Sequence, residues 1–559
     1  MQKTSKFMAK IPYLYNLILK LKNKKLKELR SQWARPLNKF RNFDLISTYL
    51  QKKKSEAGLE LVDFKTWTDL NFDSIFAKLD RNITGIGEQY LFYLLHKYES
   101  DENVLIERIK LIETLKSNQK LREDIQLKLL RLSGRNSYFI PYIIFEKNLP
   151  FTKFFRLFYI LSVLPLLSII LFNINSAFWF LTFGLLFINL LINKIFSKKT
   201  DNYSSGFSAL NSLIVTAKML TKIKTDKAIK DLNYLKGKKV LLKKLGKRLG
   251  FLVIDTKNMS QLIAITVEYF NVFMLMNLIT YFRSVSILQK QQKNIQAVYE
   301  AVANLDVSIS IASFLEDIGN YSIPVFNNEK FIKFENLRHP LIENAVPNTM
   351  KNKLGKSVLI TGSNMSGKTT FIKNIGVNII LSRTLNFSLA DEFNIHRFIV
   401  KSAIERTEDL EGGKSYFFGE VNELKNLISL SEKNDNYLFL IDEIFRGTNT
   451  IERLAASTAV LKFLDRQNRT FVTTHDIELQ YLLQNKFEMF HFSEQVENGK
   501  YFFDYKIHNG PAKSGNAIKL LEIKNYPESL TKEAFEIVKK LVENNYFDEV
   551  KFRSVIAES

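Results

Sequence analysis

The stretch Leu157–Asn193, LFYILSVLPLLSIILFNINSAFWFLTFGLLFINLLIN, runs for 37 residues without a Lys, Arg, Asp or Glu, in a chain of which 25% is charged. At about 1.5 Å of rise per residue it is too long for one membrane crossing and long enough for two short ones of about 17 residues each. Asn173, Asn175 and Ser176 supply turn residues midway, and Pro165 and Gly184 fall inside the two arms, where membrane helices tolerate them. Lys147, Lys153 and Arg156 precede the stretch and Lys194, Lys198 and Lys199 follow it, so the positive-inside rule puts both flanks in the cytoplasm. The expectation is a transmembrane helical hairpin over 155–196, with arms of about 157–173 and 177–193. Two other arrangements meet the same composition: a hairpin buried in a large soluble core, and a re-entrant loop.

The chain around it is that of an ordered protein. Its 559 residues and 46% hydrophobic content provide for several packed domains and exclude general disorder. The absence of Cys excludes disulfides and Cys-ligated zinc or iron–sulfur sites, and six His without ligand spacing leave only oxygen-ligand metal chemistry. A net charge of +23 points to a polyanionic partner, nucleic acid or an anionic membrane face. Lys, Asn, Ile and Phe are all plentiful, as an AT-rich genome produces, so part of that charge is attributable to composition alone.

Residues 1–43 read as a basic helical arm, suited to lying on a membrane surface or packing on a neighbour. They lack the apolar core and small-residue cleavage site of a secretory signal. From 44 to 150 and again from 200 to 320 apolar residues recur at three- and four-residue spacing, as in VLIERIKLIETLKSNQKLREDIQLKLLRL, which predicts two helical blocks flanking the hairpin. After Tyr321 short β-rich runs (KSVLITG, NYLFLIDE, RTFVTTH) alternate with helical patterns, predicting an α/β domain over 325–535 with a mainly parallel sheet; 536–559 reads as a C-terminal helix and tail.

Four segments of that domain carry chemistry. Gly362-Ser363-Asn364-Met365-Ser366-Gly367-Lys368-Thr369 fits the P-loop pattern, follows an apolar strand and opens a helix. Its backbone N–H groups suit phosphate oxygens, Lys368 the β- and γ-phosphates, and Thr369 a Mg²⁺ ion. The strand LFLIDE ends in Asp442, placed for the Mg²⁺ shell, and Glu443, placed to orient and deprotonate a water. His475, after FVTT, suits contact with a γ-phosphate or the attacking water. The loop RTEDLEGGKSYFFGEVNEL offers Ser415 near a helix N-terminus, suited to phosphate held by a second subunit.

These four segments, in this order, resemble the MutS family of DNA mismatch-repair ATPases, relatives of the ABC-type ATPases. GSNMSGKTTF is similar to that family's P-loop, DLEGGKSYFFGE to its signature loop, LIDEIFRGTNT to its Walker B and D-loop, and TTH to its histidine switch. YKIHNGPAKSGNAIKLLEIKNYPESL and NLRHPLIE resemble flanking segments of the ATPase domain. LDRNITGIGEQYLFYLL and ANLDVSISIASFLEDIGNYSIPVF resemble the two ends of the core and lever helices. The resemblance implies a dimeric Mg²⁺-dependent ATPase with nucleotide held by Gly362 to Thr370, Thr370 included. Thr369 and Asp442 would share the metal, Glu443 and His475 would be catalytic, and Gly413 and Ser415 would reach the nucleotide of the partner subunit.

Three departures follow. Only a basic arm stands where the family's mismatch-reading domain is expected, with no Phe-x-Glu wedge. The hairpin leaves little room for a DNA clamp between Thr200 and Leu305. Ala345 stands where an aromatic residue before the V-P-N segment would stack on adenine, with Tyr505 as the substitute. The expected function is a membrane-tethered, DNA-binding MutS-like ATPase in a bacterial inner membrane, with both terminal parts cytoplasmic. The alternative is an ATP-driven membrane switch or scaffold that no longer binds DNA.

Overall fold

A computed structural model describes residues 19–54, 58–146, 149, 151–249, 261–352, 355–363, 365–404, 416–445, 448–497, 500–512, 518, 521–522 and 526–543. Parts of the expected basic arm (1–18) and of the C-terminal tail (544–559), together with Asn364, Gly413 and Ser415, lie outside the described residues. The chain divides into two compact units: residues 1–59, 77–94 and 110–318 form one, and 60–76, 95–109 and 319–559 the other.

The first unit is helical. Its spine is the helix Met276–Ile318, which buries most of its side chains along both faces. The loop before helix Gly85–His96 is tied to this spine by polar contacts. Asp306 accepts from the backbone N–H groups of Ile83 (3.2 Å) and Thr84 (2.9 Å) and from the Thr84 hydroxyl (2.6 Å), and Ser310 accepts from the Arg81 N–H (2.6 Å) while donating to Leu79 O (2.9 Å). Tyr299 adds a ring stack on Tyr49 with centroids 4.9 Å apart. The hydrophobic periodicity read from sequence therefore produces a core, and the LDRNITG turn is held to it by buried side-chain acceptors that replace water.

This unit includes two antiparallel arms, Arg156–Leu171 and the first part of Phe178–Leu220. A turn containing Asn173, Asn175 and Ser176 joins them, with Asn175 Oδ1 accepting from Ala177 N at 2.8 Å. Between the arms the Ser168 and Thr182 hydroxyls meet at 2.8 Å. The second arm does not stop at Asn193. Nothing between Asn193 and Leu220 breaks the backbone hydrogen-bond ladder, so one 43-residue helix continues from the apolar arm into the helical unit. Lys153–Leu171, Phe178–Phe196 and Met276–Ile318 are long and apolar enough to cross a membrane by length and composition.

The second unit is α/β with two sheets. Its strands are β1 (Val325–Asn327), β2 (Ile332–Leu337), β3 (Asn348–Asn352), β4 (Ser357–Thr361), β5 (Glu392–His396), β6 (Ile399–Ala403), β7 (Tyr437–Asp442), β8 (Arg469–Thr474), β9 (Phe487–Glu497) and β10 (Lys500–Asn509). The larger sheet has the order β10-β9-β4-β8-β7-β6, parallel from β9 to β6 with β10 antiparallel at the edge. The smaller, of order β1-β5-β2-β3, is largely antiparallel. All five residues of β4 are buried, as a strand covered on both faces requires. Residues 60–76 complete this unit: Asp69, fully buried, accepts from the Ser402 hydroxyl (2.7 Å) and the Ile404 N–H (3.0 Å) at the end of β6.

Candidate nucleotide-binding site

Parallel pairing brings the carboxyl ends of β4, β8 and β7 together, with Ile360 opposite Thr473 and Thr473 opposite Asp442. In a parallel sheet the crevice outside these ends is where ligands bind. β4 runs into the loop Gly362–Gly367 and then into helix Lys368–Leu385. Gly362 (φ 145°) and Gly367 (φ 103°) both take backbone conformations that side chains disfavour, and a Cβ on Gly362 would come within 2.8 Å of Phe492 O. The two glycines thus let the loop turn tightly onto the helix N-terminus.

A cavity of about 540 Å³ opens over this loop. Ser363, Met365, Gly367, Lys368, Thr369 and Thr370 line it, together with Glu443, Ala345 and Tyr505. Lys368 is nearly buried and donates from Nζ to Gly362 O and Ser363 O, both at 2.7 Å. Ser366 closes the turn with a hydroxyl bond to Ser363 O at 2.9 Å. The Ser363 hydroxyl is buried with no hydrogen-bond partner among the described residues, as suits a group made to meet a polar ligand.

Thr369 Oγ1 donates to Asp442 Oδ2 at 2.8 Å, and the Thr473 hydroxyl bonds the other carboxylate oxygen. Two hard oxygen ligands on adjoining elements suit Mg²⁺, which keeps waters for its remaining positions. Glu443, the residue after β7, is buried and held at φ 52°, with its N–H on Thr473 O at 2.9 Å. Its Oε2 meets His475 Nδ1 at 3.2 Å, and the hydrogen bond to this carboxylate holds the imidazole pKa above its ordinary value. Asp476 accepts a two-pronged contact from Arg453 at 3.0 and 2.8 Å, which anchors the chain beside the histidine.

Tyr505 also lines the cavity, next to the loop. It has φ 52° and sits where the β9–β10 register shifts, between Phe503 and Ile507. Its ring lies over Gly367, where a Cβ would be 3.3 Å from Tyr505 Cδ1. Asn348 at the start of β3 clamps this bulge: Nδ2 donates to Tyr505 O (3.0 Å) and Oδ1 accepts from Ile507 N (2.8 Å). Asn348, His339 and Asn344 line the cavity and were not singled out from sequence. The signal for Asn348 was its place in the V-P-N segment, but its role depends on a partner 157 residues away.

Residues 358–542 match the family model described as MutS domain V. The DNA mismatch repair protein MutS of Geobacillus sp. (strain WCH70) is 33% identical over 259 residues, 44% of this chain and 30% of that protein. The MutS proteins of Lactobacillus delbrueckii subsp. bulgaricus (strain ATCC BAA-365 / Lb-18) and Streptococcus pyogenes serotype M1 are each 31% identical, over 44% of this chain and 30% of theirs. The chain thus spans about 30% of the length of these curated relatives.

Proposed function

Starting from a match to MutS domain V over residues 358–542, we propose that this chain binds ATP with Mg²⁺ and hydrolyses it, as a membrane-tethered ATPase that acts on DNA. The observation that carries the reading is the convergence of the Thr369–Asp442 pair and Glu443 on one phosphate-sized loop. ATP with Mg²⁺ supplies the transferable phosphoryl group and compensates its charge. The protein's part is positional. The loop N–H groups and Lys368 hold phosphate, Thr369 and Asp442 supply metal oxygens, and Glu443, oriented by His475, accepts the proton of an attacking water. Tyr505, which lines the same cavity as Ala345, offers a ring for the base.

The relatives' name ties them to DNA mismatch repair, and the +23 charge supports a polyanionic partner for this chain too. Pairing through the ATPase units, with Gly413 and Ser415 reaching across, is part of the same proposal. So are a bilayer location for the two exposed apolar arms and a cytoplasmic location for both terminal parts, by default at a bacterial inner membrane. The test is ATP turnover of detergent-purified protein with and without duplex DNA at low and high salt. Stimulation that fades with salt is expected. Turnover indifferent to DNA at low salt would sink the DNA reading in favour of a membrane switch. Glu443→Gln should keep ATP binding and lose turnover, and unchanged turnover would refute the assigned base.

A further inference from the structure

Helix Gln261–Phe273 lies beside the hairpin and was read from sequence as part of a helical block. The 25 residues from Asn258 to Phe282 contain a single charged residue, Glu268, and are bracketed by Lys257 and Arg283. Tyr269 and Phe270 are at least half exposed. The helix covers about 20 Å, short of the roughly 30 Å needed to cross a bilayer. It stops where Leu275 turns to φ 51°, and Met276 begins a new helix.

Asn189, fully buried in the second arm, binds three segments together. Its Nδ2 donates to Leu161 O at 2.9 Å and to Phe273 O at 2.7 Å. Leu161 O is the carbonyl that an unbroken helix would pair with the N–H of residue 165, and Pro165 has none. Phe273 O belongs to the last turn of its helix, where carbonyls lack a helical donor. One amide therefore serves two carbonyls that backbone chemistry leaves unpaired. Water would do this at a wet surface, whereas hydrocarbon leaves the work to protein.

The contacts also set a depth. Phe282 packs on Phe158 and Phe196 at the open end of the hairpin, both at 5.7 Å between centroids, and Tyr281 packs on Phe207 at 5.4 Å. Asn189 lies seven residues inside Phe196, about 10 Å along the arm. The break after Phe273 is therefore about a third of the way into a hydrocarbon layer of about 30 Å. The preceding helix, Lys239–Leu249, buries Leu242 and Leu245 and sets Gly246 against Ile214, beyond the open end of the hairpin. Chain on both sides of the segment is thus found at that same end.

We propose that residues 261–275 are a third membrane element, a re-entrant half-helix lodged in the cytoplasmic leaflet and docked on the hairpin through Asn189. It rests on the reading of the hairpin as membrane-spanning. Its aromatic face meets lipid, and its break feeds directly into the spine helix Met276–Ile318.

Because the chain has no cysteine, each introduced one is the sole thiol. In full-length protein reconstituted into vesicles, a fluorophore on F270C should be quenched by lipids spin-labelled at a shallow acyl position, and one on V240C should not. An impermeant maleimide should reach I174C from the face opposite V240C. If the F270C probe is as unquenched as that on V240C, or is quenched most by labels at the bilayer centre, the half-helix is overturned while I174C still reports the hairpin. If I174C and V240C react from the same face, the hairpin reading itself falls, and the half-helix with it. Asn189→Leu should return the F270C probe to the V240C level without moving I174C, and unchanged quenching would remove Asn189 as the docking residue.

Discussion

Phe178–Leu220 and Met276–Ile318 are both 43-residue helices of the same unit, and both contain a window apolar enough to cross a membrane. In the first that window is 11% buried within the protein, and in the second it is 89% buried. Phe180, Phe183 and Phe187 stand exposed on the first, while Tyr299, Val302 and Leu305 are enclosed on the second. Hydropathy alone thus does not distinguish a helix that the protein covers from one that it leaves exposed. What separates them is whether the chain supplies its own covering, as it does around Met276–Ile318 with the Leu79–Gly85 turn and Tyr49.

Large-to-small substitution gives the sharpest break. Leu305→Ala should destabilise the helical unit by about 3 kcal/mol in detergent, and Leu191→Ala, on the exposed arm, by less than about 0.5 kcal/mol, measured by thermal unfolding. Equal losses would mean that the arm is packed in protein after all. Gly87 sits under the spine, where a Cβ would overlap the Asp306 carboxylate, so Gly87→Ala should cost about 1–3 kcal/mol, whereas Gly184→Ala, with open space around it, should cost less. The smallest effect is electrostatic. Burial pushes the Asp306 pKa up from 3.8 to about 6, so its contribution to stability is complete below pH 3.8 and is lost as pH rises through 6. Between pH 7 and pH 5 the unit should gain about 1 kcal/mol from this group. Asp306→Asn should remove that part of the pH dependence, and an unaltered profile would place the titration elsewhere.

The Gly362–Gly367 loop was readable because everything it needs lies in one run, with a strand before it, a helix after it and glycines at the two turns between. Asp442 and Glu443 were readable as a strand end. The Thr473 hydroxyl on Asp442 was not, because it depends on which strand lies beside β7, and pairing order is a property of the whole sheet. The same holds for the Asn348 clamp and for Asp69, whose partners at β6 lie more than 300 residues along the chain. In the hairpin, composition marked the arms but not the end of the second. Three lysines after Asn193 end the uncharged run, yet lysine is a good helix former and the backbone carries on through them.

That continuity makes Phe178–Leu220 a single stiff shaft about 65 Å long. Pivoting its apolar end through about 10° would sweep Leu220 sideways by about 11 Å, with no hinge to absorb the motion. Whatever grips the arm therefore also sets the bearing of the helices packed at the other end.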